Sequence, residues 1–396
     1  MKKSNVCIIG GGASGMAAAI YIKEKMPDLN VLLLEKKDVL GKKLSVTGNG
    51  RCNISNVQCP TFGDTSRFFK SIGVEIKTDN EGRAYPVSER AKDVTETMEN
   101  LLLSLGVDIK KNVTVNNISK INEKGCFIVS SDKESFEAEK VIIATGGKSA
   151  PQFGTTGDGY VLARNMGHTI NKLAPALVAL ECSNSVLGIN KGVRANAGVT
   201  LFRHSYFVEE EKGEVQFTED GLSGICIFNL SNFVRLNENT GFSDYELALD
   251  LLPEYKPTEI LYILSRKKNI SGLKTIDLMK SIVKPELAQK LLKDISQRIP
   301  EAKDLSTEHL KDIILMFKNV RFTITGAKGW KQAQCTMGGV SWDDFNLHTM
   351  ESTVVSGLYF TGEIIDYVGP CGGFNLENAW NTARKAGKAI CTEYMR

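Results

Sequence analysis

Histidine is scarce in this chain, cysteine spacing suggests no pairing, and long apolar runs are missing. The four histidines, His168, His204, His309 and His348, lie far apart, so no metal site is expected. None of the nine cysteines stands in C-x-x-C spacing, which argues against zinc and thioredoxin-type redox pairs. An odd number of scattered thiols in 396 residues suits a reducing compartment, so a cytoplasmic location is expected. No segment approaches the roughly 20 apolar residues of a membrane span, and no membrane partner is expected. The opening Met-Lys-Lys-Ser-Asn runs straight into a strand-like stretch and has no export-type cleavage site. A net charge of +3 is too mild to argue for nucleic acid, though it leaves a local basic patch open. No repeat or low-complexity tract is visible, and nothing fixes the oligomeric state. The length suffices for two or three domains with substantial cores.

What is present begins at residue 6: Val-Cys-Ile-Ile-Gly-Gly-Gly-Ala-Ser-Gly. Gly10, Gly12 and Gly15 form a G-x-G-x-x-G between a strand-like and a helix-like stretch, with Ala13 and Ser14 inside it. Glu35 follows 20 residues after Gly15, at the end of Val-Leu-Leu-Leu. Each residue has a task in dinucleotide binding. Gly10 permits a tight turn, Gly12 lets a pyrophosphate approach the backbone, and Gly15 lets helix and strand pack closely. The helix N-terminus offers N–H groups to phosphate, and Glu35 accepts hydrogen bonds from ribose.

Strands are expected at 5–9 and 30–35, with a helix at 14–26 stopped by Pro27. Residues 41–53 are polar, basic and glycine-rich, and read as a binding loop. Helical spacing marks 88–105, followed by short strands at 107–110, 113–120, 125–131 and 135–143. The last ends in Ala-Thr-Gly-Gly, which brings bare backbone close to something. Residues 176–218 alternate like strands, and 221–224 start a short helix. Residues 245–318 are lysine-rich, with helical spacing at Leu247, Leu251, Ile260, Leu264, Leu287, Leu291 and Ile295. A strand at 357–363 and a helix at 376–390, after a Gly-Pro-Cys-Gly-Gly-Phe-Asn turn, close the chain. The expected domains are a first part at 1–175, an insert at 176–244 and 319–340 with a helical subdomain at 245–318, and a last part at 341–396.

The whole pattern resembles the two-dinucleotide-binding-domain flavoproteins. More narrowly it resembles the BaiN/YhiN-type family of FAD-binding enzymes, also called the aminoacetone oxidase family. The matching pieces are residues 10–15, 48–53 (Gly-Asn-Gly-Arg-Cys-Asn), 81–86, 144–147 with 154–159, 217–224, 337–340 and 362–375. The resemblance implies an α/β fold: a Rossmann-like, glutathione-reductase-like FAD-binding domain interrupted by a β-barrel-like insert with a helical subdomain. It implies that Gly10, Gly12 and Gly15 face the pyrophosphate and Glu35 the adenosine ribose, with Lys36 beside it. Lys42, Lys43 and Arg51 would neutralise phosphate or line the entrance, with Gly50 and Cys52 in the same loop. Val115 would meet adenine through its backbone, and Thr145 and Gly146 would flank the nucleotide. Gly362 and Glu363 would lie near the ribityl chain, and Gly372, Gly373, Phe374 and Asn375 beside the isoalloxazine. A helix N-terminus there would favour the reduced, anionic ring. Glu219 stands where some relatives carry His, and Cys371 where relatives often lack Cys.

No second G-x-G-x-x-G follows a strand, so NAD(P)H is expected as a transient electron donor without a domain of its own. Better-defined family members reduce activated C=C bonds, in bile-acid enones or in a uracil of ribosomal RNA. That chemistry needs a proton donor opposite the hydride. Candidates are Tyr85, Cys371 and Tyr367, with Glu219 behind them. A small-molecule substrate is the first expectation. RNA stays in play through Lys267, Lys268, Lys274, Lys280, Lys284, Lys290 and Lys293, and so does a flavin-bearing RNA-associated protein with little turnover.

Overall fold

The computed structural model describes residues 2–121, 125–183, 192–236 and 240–395. The chain forms two compact units, Met1–Ala176 with Trp330–Arg396, and Leu177–Gly329. The return to the first unit falls at Trp330, ahead of the expected limit at 340.

Continuous apolar runs build the first unit's sheet. Residues 6–9 and 31–34 are hydrophobic throughout and buried, as strands covered on both faces require. Lys2–Ile9 pairs in parallel with Val31–Glu35 on one side and with Ser135–Ile143 on the other. Asp108–Lys111 extends one edge. Ser135–Ile143 serves two neighbours: its first half pairs antiparallel with Cys126–Ser131, and its end pairs in parallel with Leu358–Phe360. Val115–Ile121 completes the seven strands. Ile9, Ile143 and Phe360 are register partners. The turns that follow them therefore leave the sheet side by side at its carboxyl edge, the place where α/β sheets bind ligands.

Small residues let the helices close over this sheet. Ala13–Lys25 presents Ala17, Ala18 and Ala19 to the core and stops two residues before Pro27. Phe374–Tyr394 lies so near it that a Cβ on Gly387 would sit 2.8 Å from the Tyr21 ring. Ala91–Ser104 and Phe62–Ser71 add further cover, and Ser55–Asn56, Arg83–Pro86 and Ile76–Thr78 make a small antiparallel sheet.

His168 is a packing histidine. Its Nδ1 lies 3.0 Å from the Ala163 carbonyl and its Nε2 2.7 Å from the Ser352 hydroxyl, and the ring meets Phe360 edge-on. Ser352 Oγ already accepts from the Val354 and Val355 amides. Its proton is thus free to go to Nε2, which leaves Nδ1 as the donor of a neutral imidazole. Burial pushes the His168 pKa below its ordinary value. The unfolded chain then binds the extra proton more readily, so this contribution is complete above the unfolded pKa of about 6.5 and is lost as pH falls below it. Denaturant midpoints of the native protein should drop between pH 7.5 and 5.5 by more than those of His168→Gln. Equal drops would remove His168 from the acid response.

The second unit is a closed antiparallel barrel of six strands in the order Leu180–Ser183, Gly221–Ser223, Tyr206–Phe217, Arg194–Arg203, Tyr245–Asp250 and Val320–Ala327. Val199, Leu201, Leu247, Leu249, Phe322 and Ile324 fill its interior at alternate positions. Pro257–Lys267, Pro285–Arg298 and Thr307–Lys318 bury Leu264, Leu292 and Ile313 in that same core, so barrel and helices share one hydrophobic interior. Two local expectations are corrected. Leu247 and Leu251 do not begin a helix: a spacing of four fits both helical and alternating patterns, and Leu247 points into the barrel. Residues 221–223 form a strand because a Cβ on Gly221 would lie 2.0 Å from the Leu180 carbonyl, an approach of two backbones. The helix starts later, at Ile225. Part of the expected alternation, 184–191, lies outside the described residues.

Candidate functional site

The three glycines of the first turn divide the work as their chemistry demands. Gly10 has φ of 109°, and a Cβ there would lie 2.4 Å from the Ala144 carbonyl. Gly15 meets the strand end, where a Cβ would be 1.9 Å from the Gly10 carbonyl. Gly12 differs: a Cβ would find nothing within 4 Å. It is the N-cap of Ala13–Lys25, with no side-chain cap and no acidic residue in the first turn. The positive end of that helix therefore opens onto free space just where a phosphate would come. Ser14 is buried, and its hydroxyl donates to the Thr361 carbonyl at 3.3 Å. That bond ties this turn to the one after Phe360.

Glu35 is fixed by two backbone amides, Gly11 on Oε2 and Lys37 on Oε1, each at 2.8 Å. A carboxylate so held keeps lone pairs for ribose hydroxyls. The Val113 amide donates to the Glu35 carbonyl at 3.0 Å, which brings the segment before Val115 alongside. Lys36 is committed elsewhere, to Asp158 and to Thr156 Oγ1 at 2.6 Å. Lys42 is a surface residue, 3.8 Å from Asp38.

Lys43 and Glu363 form one cluster. Lys43 Nζ lies 2.7 Å from Glu363 Oε2 and 2.6 Å from Ser149 Oγ. Glu363 Oε1 accepts from Ser149 Oγ at 2.7 Å and from the Thr336 amide at 2.9 Å. Both charges are thus neutralised within the chain, while the neighbouring Gly362 backbone (φ 77°) packs on Ser14. Thr145 and Gly146 follow the strand end at Ile143. A Cβ on Gly159 would strike Thr145 Oγ1 at 1.9 Å, so that turn is also close-packed.

The loop at 48–53 and the turn before the last helix interlock. Gly48, Asn49, Gly50 and Cys52 all take positive φ. Gly50 faces open space, whereas Cys52 is fully buried and its thiol is pushed up to about 12. Cys52 therefore acts as a small buried hydrophobe rather than a contact residue. Asn53, with its amide oriented to satisfy both partners, donates to the Ser55 carbonyl at 3.0 Å and accepts from the Gly373 amide at 3.2 Å. Asn56 Nδ2 donates to the Gly372 carbonyl at 3.1 Å. Asn375 closes its own turn through the Gly369 amide and carbonyl. Gly373 caps Phe374–Tyr394 without a side chain, so a second helix N-terminus opens from this loop.

The donor candidates differ in surroundings. Tyr85 is buried, on the strand Arg83–Pro86, with the Arg51 guanidinium 4.8 Å from its ring centre. Burial pushes its phenol up, and the charges of Arg83 and Arg51 pull it back. Cys371 lies 3.4 Å from Gln334 Oε1, and burial raises its thiol. Burial also raises Tyr367, with no cation among the causes. Glu219 belongs to the second unit.

Several residues escaped the sequence reading. Thr336 Oγ1 accepts the Lys148 and Ser149 amides at 2.7 and 3.0 Å, and nothing in its sequence context marks it. Glu377, in the first turn of the last helix, accepts hydroxyls from Ser55, Thr61 and Thr65. Its signal was an acidic residue beside a helix start. Thr361 Oγ1 is buried with no partner among the described residues, at the turn shared by Ser14 and Gly362. An open Gly12, an uncapped helix and an orphaned hydroxyl fit a dinucleotide lying along the sheet edge. Among the described residues no group of side chains could hold a metal, and no helix is long and apolar enough to cross a membrane.

Residues 61–389 match the family model of the HI0933-like protein Rossmann domain, and residues 8–52 match an NAD(P)-binding Rossmann-like domain. The chain is 35% identical over 98% of both lengths to a 3-dehydro-bile acid delta(4,6)-reductase of Clostridium scindens. It is 26% identical over 97% of both lengths to a ribosomal RNA dihydrouridine synthase of Haemophilus influenzae. Among solved structures, the open conformation of a flavocytochrome c3 fumarate reductase shares the fold, with a TM-score of 0.50 at 14% identity over 100% of this chain and 79% of that one.

Proposed function

The chain belongs to the HI0933-like family of Rossmann-domain proteins, and on that premise we propose that it is an FAD-dependent oxidoreductase that reduces an activated C=C bond in an enone-like small molecule. The observation that carries this reading is the edge where the turns after Ile9, Ile143 and Phe360 emerge together. Gly12 is open there, Glu35 is held by backbone amides, and the 48–53 loop locks onto Gly373.

When bound, the flavin supplies the hydride chemistry. The chain's own groups bind and orient. The first helix start would meet the pyrophosphate, Glu35 would take the ribose, and Gly372 to Asn375 would border the ring. Lys43 and Glu363 neutralise one another, so Lys43 supports the turn near the ribityl chain rather than facing phosphate as a free cation. Water must be kept from the ring while one proton reaches the carbon opposite the hydride. Tyr85, Cys371 and Tyr367 remain the groups that could carry it. The electron donor is a nicotinamide dinucleotide that docks and leaves. The free thiols fit a reducing cytoplasm.

A bile-acid-like or steroid-like enone is preferred to a uracil in RNA because the chain is 35% identical to the bile-acid reductase and 26% to the ribosomal RNA enzyme, and three of the insert's seven candidate lysines are engaged within the chain. Lys267 donates to the Lys280 carbonyl, Lys268 to the Leu305 carbonyl at 2.5 Å, and Lys274 pairs with Glu301. Anaerobic NADH or NADPH should bleach the yellow protein, and a steroid 4-en-3-one should restore the colour with one C=C reduced per flavin. Restoration by uridine-containing ribosomal RNA and not by the enone would transfer the reading to RNA. No bleaching by either nicotinamide would refute the donor.

A further inference from the structure

Buried tyrosines in this fold normally spend their hydroxyls. Tyr160 donates to the Glu363 carbonyl at 3.3 Å, Tyr245 to the Arg235 carbonyl at 3.1 Å, and Tyr359 to Glu393 at 2.6 Å. A buried phenol is expected to find such a partner. Tyr85 is 5% exposed, but its hydroxyl makes no hydrogen bond among the described residues and is not one of the enclosed oxygens, so the ring is buried while the oxygen stays accessible. Its ring is nevertheless located with care. The Arg51 guanidinium covers one face at 4.8 Å, and a Cβ on Gly48 would lie 3.6 Å from its Cε1. Arg83, two residues earlier, is anchored by Asp79 Oδ2 at 2.8 Å and Glu81 Oε1 at 2.8 Å. Pieces from 48–53 and 81–86 thus converge on one phenol whose oxygen is left for something outside the chain.

Tyr367 also lacks a hydrogen-bond partner among the described residues, but no cation accompanies it. A proton donor is left as an anion after the transfer, and the Arg51 guanidinium over the ring stabilises a tyrosinate where an apolar wall would oppose it. Cys371 has Gln334 on its sulfur.

We propose that Tyr85 delivers the proton in the double-bond reduction and that Arg51 is its positioning residue, holding the ring and supporting the phenolate. This rests on the C=C reductase reading above. The C=C π bond breaks. Its β carbon gains a hydride from the reduced flavin, and its α carbon gains the proton of the Tyr85 O–H bond, whose electron pair stays on oxygen. Water then reprotonates the tyrosinate, and the nicotinamide donor restores the reduced flavin, so two electrons and two protons enter the substrate.

The holoenzymes of Tyr85→Phe, Arg51→Met, Arg51→Lys and Tyr367→Phe test this. Tyr85→Phe should keep its thermal midpoint, because the hydroxyl supports nothing in the chain. It should keep its yellow colour and its bleaching rate with NAD(P)H. Its reoxidation by the enone should fall about 10²- to 10⁴-fold, the usual scale of general acid catalysis. Arg51→Met should raise the tyrosinate titration seen by ultraviolet difference spectroscopy against Tyr85→Phe, and Arg51→Lys should restore part of that shift. Reoxidation lost in Tyr367→Phe and kept in Tyr85→Phe would assign the proton to Tyr367 and overturn the proposal. Native turnover together with unimpaired Tyr85→Phe overturns the assignment alone. A native protein that no enone reoxidises overturns the reductase reading and this proposal with it.

Discussion

Gly12→Val should yield a folded, colourless protein. Gly12 sits at φ −82° and ψ −168°, a conformation open to any residue, so valine adds no backbone strain. Its Cβ would touch nothing within 4 Å, so no neighbour must move. As an N-cap, glycine gives way to valine at a modest local cost, about 1 kcal/mol or less. The new isopropyl group instead fills the space in front of the uncapped helix, where the pyrophosphate would rest. We expect flavin affinity to fall at least about a thousandfold, roughly 4 kcal/mol, with circular dichroism and melting of the apoprotein near native. Gly15→Val is the control with the opposite signature. Its Cβ would lie 1.9 Å from the Gly10 carbonyl, so the strand and helix must part and the fold should fail. Native flavin stoichiometry in Gly12→Val would refute the placement of the cofactor along this turn.

The difference between these two glycines shows what the sequence could reveal. The G-x-G-x-x-G spacing, Glu35 and the apolar runs identified the strands and the turn because their signals are local: period, glycine, and a carboxylate at a set distance. The crossover strands were legible for the same reason, to within a few residues. Pairings across hundreds of residues were not. The resemblance set Lys36 beside the ribose and Lys43 at the phosphate or the entrance, and the fold pairs them with Asp158 and Glu363. A lysine's partner depends on tertiary proximity, which no window of sequence contains. The barrel strands at 221–223 and 245–250 were misread because four-residue spacing is ambiguous between periods and glycine has no fixed preference. Tyr85 stood out only through its motif. What distinguishes it, an unspent hydroxyl beneath Arg51, is a property of two distant segments together.

Glu377→Ala should be among the most destabilising substitutions in the first unit, although the residue lies outside the site motifs. The carboxylate is 4% exposed and gathers Ser55 Oγ at 2.5 Å, Thr61 Oγ1 at 2.5 Å and Thr65 Oγ1 at 2.8 Å. It also lies in the first turn of Phe374–Tyr394, where the helix field favours an anion. Alanine would leave buried hydroxyls without their acceptor, each costing about 1 kcal/mol or more. A loss of about 3 kcal/mol follows, which in a body of this size lowers the melting temperature by roughly 6–12 °C. Glu377→Gln keeps one acceptor oxygen and the shape, so it should lose less than half as much. The consequence reaches the cofactor through geometry. Ser55 and Asn56 carry the carbonyl and amide that hold Asn53 and Gly372 in register with Gly373. When Glu377 releases that strand, the 48–53 loop loses its fixed position beside the last helix. Flavin should then dissociate more readily from Glu377→Ala even at temperatures where the protein remains folded, and added FAD should recover part of the lost melting temperature. A melting curve within 2 °C of native would show that these three hydroxyls find water instead, and would remove Glu377 as the tie between the loop and the helix.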